Sequence, residues 1–127
     1  MQNRVTFEYA IIRVVPKVER EEFFNVGVLV FSKRKKFLGI KYLVNAQKLN
    51  CFACDLDLDT INSYLQAWEK VCKGVANTGR ICDMELSDRF RWLAATRSTV
   101  LQTSKTHPGL SDNPAEDLER LFTEFVL

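Results

Sequence analysis

From Val5 to Val15 the chain reads VTFEYAIIRVV, an alternation that closes in an apolar, β-branched run. That pattern predicts a strand buried on at least one face, and Pro16 ends it. The next stretch, KVEREEF, carries five charges in seven residues and predicts an exposed turn or one helical turn. FFNVGVLVF at 23–31 is again strand-like, with Gly27 marking a bulge or a close approach of another backbone. A polar SKRKK separates it from FLGIKYLV at 37–44, so these two runs predict a hairpin whose cationic tip, Lys33 to Lys36, is solvated.

The period then changes. Ile61, Tyr64, Leu65, Trp68, Val71 and Cys72 recur at steps of three and four, with polar residues between them, so an amphipathic helix runs from Asp59 to a stop at Gly74. Asp55, Asp57 and Asp59 stand where carboxylates favour a helix start. A second helix is predicted at the C-terminal end. Asn113 caps it, Pro114 takes the first helical position, Glu116 completes the capping spacing, and Ala115, Leu118, Leu121, Phe122 and Phe125 form its apolar stripe. Between the two helices, SDRFRWLAA opens a short helix near Ser87, although Arg89 to Trp92 also alternate like a strand. STVLQ at 98–102 reads as a short strand, and 103–113 as a loop turning at Pro108 and Gly109. The sum is an α+β domain over residues 1–127, an antiparallel sheet of three to five strands against a single layer of two or three helices.

With 127 residues, 46% of them hydrophobic, the chain suits one domain that needs no disulfide or metal staple. Its formal charge of +2 is far from the cation excess of a protein that binds duplex DNA by neutralising phosphates. No secretory signal and no apolar run of membrane-spanning length is evident, so a cytoplasmic protein without a membrane partner is expected. In that compartment Cys51, Cys54, Cys72 and Cys82 are expected as reduced thiols.

Cys51 and Cys54 have the spacing of a zinc knuckle. Cys72 and Cys82 lie nine intervening residues apart and do not supply the second close pair, so inert thiols are the ordinary reading and no metal is assigned. DLDLDTINSYLQ places acids like a calcium loop, yet Thr60 stands where glycine is required and Gln66 where a bidentate glutamate is required. Asp83, Glu85 and Asp88 could hold magnesium only if a turn gathered them. His107 has no nucleophile in a known elbow or triad context, and a turn-capping role is the simpler one.

RFRWLAATRSTVLQTSKTHPGL, at 89–110, concentrates polar chemistry. Arg89, Arg91 and Arg97 can offer planar forks to phosphate or carboxylate, Ser98 and Thr99 add neutral donors, and Trp92 offers a flat apolar wall. Equally, the arginines can pair with internal acids while the hydroxyls satisfy a loop's backbone. Both readings stand at this level.

This segment, together with YAIIRVVPKVEREEFFNVGVLVF at 9–31, resembles the bacterial DUF3037 family, a domain of unknown function. The first motif is matched by Arg13, Pro16, Glu19, Arg20, Glu22, Phe24, Asn25, Val26 and Gly27, the second by Arg89, Phe90, Arg91, Trp92, Arg97, Ser98, Thr99, Gln102, His107 and Gly109. Thr96 departs from the pattern, where members often carry proline. The resemblance implies no reaction and no cofactor. It implies a bacterial context beside kinases resembling the HipA toxin, hence an accessory or antitoxin-like partner. The expected site is an anion- or partner-binding surface built from Arg13, Asn25 and the second-motif residues Arg89, Arg91, Trp92, Arg97, Ser98, Thr99, Gln102 and His107. A nucleic-acid or nucleotide enzyme using the arginines as a phosphate clamp is the alternative, with nucleic acid the less favoured partner.

Overall fold

The first strand, β1 (Val5–Val14), forms the middle of the sheet in the computed structural model, which describes residues 4–52 and 56–127. It pairs antiparallel with β2 (Phe24–Ser32), and β2 pairs with β3 (Phe37–Tyr42) through the predicted hairpin. Lys33 to Lys36 are exposed at its tip. On the other side of β1 two short strands share one edge. β4 (Leu101–Thr103) pairs with residues 12–14, and β5 (His107–Ser111) pairs with residues 5–9. Ser104 splices them: its N–H donates to the Ile11 carbonyl at 2.8 Å and its Oγ accepts from the Ile11 N–H at 2.9 Å.

β5 corrects the expectation of a loop over 103–113. Pro108 and Gly109 read as a turn, but β5 is an edge strand, where a missing N–H is tolerated. Gly109 is there because a Cβ would stand 2.4 Å from the Phe7 ring across the pair. Gly27 behaves as predicted in both senses. Ile12 pairs with Gly27 and Arg13 with Asn25, which leaves Val26 as the extra residue of a bulge. A Cβ on Gly27 would lie 2.7 Å from the Lys41 carbonyl oxygen.

Side chains alternate across a strand, and the sheet buries both faces. Ile12, Val14, Leu29 and Phe31 meet α2 (Leu58–Lys73) and α3 (Leu86–Leu93), with Leu49 of the short α1 (Ala46–Cys51) at the margin. Phe31 stacks on Phe90 with ring centroids 4.9 Å apart. On the opposite face Phe7, Ile11, Val28 and Val30 meet Leu118, Leu121, Phe122 and Val126, contributed by α4 (Pro114–Phe125) and the residue after it. The α+β antiparallel class therefore holds, with five strands and four helices among the described residues. The helices lie on two faces where one layer was expected, because strand alternation leaves two apolar faces to cover.

The helix ends follow the sequence. Asp57 accepts from the Thr60 N–H at 2.7 Å, which holds its carboxyl below the usual range, and Gly74 closes α2 in the left-handed region at φ 62°. Asn113 caps α4, with Pro114 at its first turn. The α2 stripe is buried except at Tyr64, which is 48% exposed, and in α4 Ala115 and Phe125 are exposed. No described helix is long and apolar enough to cross a membrane.

Candidate functional site

The three arginines of the 89–110 segment each meet different internal acceptors. From α3, Arg89 reaches the end of α2, where its Nη1 donates to the carbonyls of Val71 and Cys72 at 2.8 and 2.9 Å. A cation there answers the partial negative charge of a helix C-terminus. Arg91, one residue from Phe90 on the same helix, forms a fork on Glu8 of β1 with bonds of 2.9 and 2.8 Å, which raises its pKa. These two side chains tie α3 to α2 and to the sheet, and they are not aimed at a common anion.

Arg97 is different. It follows the end of α3, donates from Nη2 to the Trp92 carbonyl at 2.5 Å and from Nη1 to the Leu93 carbonyl at 3.3 Å. Its guanidinium carbon lies 4.9 Å from the ring centroids of both Trp68 and Trp92, a double cation–π arrangement. Burial lowers its pKa, and it has no carboxylate partner among the described residues. The cation borders an apolar groove of about 630 Å³ whose walls include Val18, Tyr64, Trp68, Trp92 and Val100. Ser98 and Thr99 also line it, although the Thr99 hydroxyl is spent on the Leu101 carbonyl at 2.9 Å.

The remaining expected residues lie on the opposite, α4 side of the sheet. Asn25, Arg13 and Gln102 form one row across β2, β1 and β4. Asn25 donates to the Phe125 carbonyl at 3.1 Å, and Gln102 to the Thr99 carbonyl at 2.7 Å. The Arg13 guanidinium stacks on Phe23 at 4.0 Å, while its buried Nε has no acceptor among the described residues. His107 is exposed on β5 with its ring 5.3 Å from Tyr9. The expected surface is thus divided by the sheet, with Arg89, Arg91, Trp92 and Arg97 on one side and Arg13, Asn25, Gln102 and His107 on the other.

Among the described residues no cluster of histidine, cysteine and carboxylate side chains could hold a metal, so Asp83, Glu85 and Asp88 are not gathered. Cys72 and Cys82 are buried and Cys51 is exposed, with the Cys72 thiol pushed up to about 12 chiefly by burial. Cys54 and Asp55 lie outside the described residues. Sequence reasoning missed Tyr64 and Trp68 as site residues, since helical spacing assigned both to the core. The one available signal was the strength of tryptophan and tyrosine as contact residues on a stripe that has a third aromatic nearby in Trp92.

The pattern that defines the protein family of unknown function DUF3037 matches residues 9–126, and the chain belongs to that family. Comparison with curated proteins and with solved structures gave no match.

Proposed function

We propose that this chain is a non-catalytic bacterial accessory protein that binds a segment of a partner protein in the groove of Tyr64, Trp68, Trp92 and Arg97. The observation that carries this reading is Arg97, a half-buried cation without a carboxylate among the described residues, stacked between two indoles at the edge of an apolar groove. Tyr64 and Trp92 are 48% and 36% exposed there. Large aromatics beside arginine are the residues that dominate protein interfaces when covered. A phosphate clamp made of Arg89, Arg91 and Arg97 is less well supported, because Arg89 is committed to the end of α2 and Arg91 to Glu8.

The family resemblance supplies the candidate partner, a kinase resembling HipA. Co-expression with such a kinase from the neighbouring gene, followed by purification through a tag on either protein, tests it. A complex in fixed ratio that Trp92→Ala abolishes is expected. A complex that survives both Trp92→Ala and Arg97→Ala moves the contact to another surface, and two proteins that purify apart remove the kinase.

A further inference from the structure

The groove does not end at Trp92. A second hollow of about 450 Å³ lies on the far side and shares Ala67, Trp68 and Trp92 with the first. Sharing those residues, the two adjoin along α2 as a trough with Trp68 and Trp92 at its middle. Arg97 stands in one half, and Lys70 and Arg80 stand in the other. Among the described residues no acid lines either half, in a chain whose 18 cations are nearly matched by 16 acids. Three acids are sequence neighbours of lining residues: Glu69 accepts from Tyr42 at 2.7 Å and Lys73 at 2.9 Å, while Glu19 and Asp83 pair with none of Arg97, Lys70 and Arg80. None of the three cations forms an ion pair among the described residues.

Resting on the partner-binding reading above, we infer that the occupant of this trough is an acidic peptide segment, with an apolar anchor seated at Trp68 and Trp92 and carboxylates on both sides of it. The apolar floor supplies the area to be covered, and the cations, Arg97 beside the shared indoles and Lys70 and Arg80 in the second hollow, set polarity and exclude basic segments. Val71 and Ile81 in one hollow and Val100 in the other give apolar walls that suit an anchor such as Leu, Ile or Phe. Arg97 gains most from a carboxylate, because it is already partly desolvated. Single-stranded nucleic acid would also offer anions and flat bases. Three cations on a mainly apolar floor suit it less well than the long charged channels that track its backbone.

The experiment is selection of a random peptide library on the immobilised full chain, with counter-selection on Trp92→Ala. Enriched sequences are then made as free peptides and titrated calorimetrically at low and high salt. Because Arg97 braces the end of α3, the charge variant is Lys70→Glu with Arg80→Glu, both exposed. Trp92-dependent peptides rich in Asp and Glu around an apolar anchor are expected, with affinity that falls with salt and is lost in the charge variant. Trp92-dependent peptides without acids, or indifferent to Lys70→Glu with Arg80→Glu, overturn the acidic segment and leave the partner-binding reading standing. No Trp92-dependent enrichment overturns that reading as well. A Trp92-dependent complex with oligo-dT, where no peptide is enriched, assigns the trough to nucleic acid and overturns the peptide.

Discussion

Arg91 and Glu8 are 83 residues apart in sequence and face each other in a two-bond fork, with bonds of 2.9 and 2.8 Å, that fastens α3 to the central strand. The pair is partly solvated, its side chains 57% and 27% exposed. A double-mutant cycle of Arg91→Ala and Glu8→Ala in urea should give a coupling of about 0.5 to 1 kcal/mol, the upper part of the range for exposed pairs. The coupling should shrink with added salt.

Arg97→Ala removes two cation–π contacts and two hydrogen bonds to main-chain carbonyls. A loss of about 1 to 2 kcal/mol is expected in denaturant melts. A loss of about 3 to 5 kcal/mol, the range for breaking a buried ion pair, would show that Arg97 is wholly a bracing residue. Trp92→Ala removes one of those cation–π contacts and a side chain only 36% exposed, so a loss of about 1 to 3 kcal/mol is expected, below that of a fully buried tryptophan.

Gly27→Ala places a methyl 2.7 Å from the Lys41 carbonyl oxygen and 2.9 Å from the Tyr42 Cβ, inside the β2–β3 pair. Backbone cannot step aside as a flexible side chain can, so a destabilisation of about 1 to 3 kcal/mol is expected. Thermal melts beside the wild type provide the check.

Alkaline pH should weaken the fold in two stages. Burial, then the hydrogen bond to Glu69 and the repulsion from its charge, pushes Tyr42 up to about 12 from an ordinary value of 10.0. A group with a raised folded pKa contributes fully below its unfolded value and loses that contribution as pH rises through the folded one. Tyr42 therefore acts between about 10 and about 12, and Cys72, raised from 9.0, begins one unit lower. Urea midpoints measured from pH 8 upward should fall less steeply above pH 10 in Tyr42→Phe than in the wild type.

Thiol reactivity should separate the described cysteines. Iodoacetamide at neutral pH is expected to modify exposed Cys51 in the native protein, while buried Cys72 and Cys82 react only in denaturant. Peptide mass spectrometry reads each position.

The two long helices and the first three strands were legible because each obeys a period and carries its own punctuation. Asp57 and Gly74 bound α2, and Asn113 with Pro114 opens α4. The short α1 was not, since AQKLNC buries only Leu49 and shows no stripe. β5 was hidden because Pro108 and Gly109 carry turn chemistry, and only the ring of Phe7 explains a glycine there. The distribution of helices over two faces was hidden by the bulge at Val26, which puts Val26 and Val28 on opposite sides although they are two apart. The same alternation divides the motif residues, since Arg13 and Ile12 are neighbours in sequence and point to different faces. Arg97 was legible as a candidate, but its neighbours Trp68 and Trp92 come from two helices, and no local pattern brings those together.

Both tryptophans of the chain belong to the groove and both touch Arg97. Excitation at the red edge of the protein absorption band, where tyrosine does not absorb, therefore makes the groove the sole emitter in the molecule. Whatever enters between α2 and α3 changes the polarity around two indoles and the position of the cation stacked on them, so occupancy shifts the emission of the unlabelled protein. A compound or peptide that binds at His107 or along the outer edge of β5, across the sheet, leaves that light unchanged. The protein carries a built-in optical gauge for one of its faces.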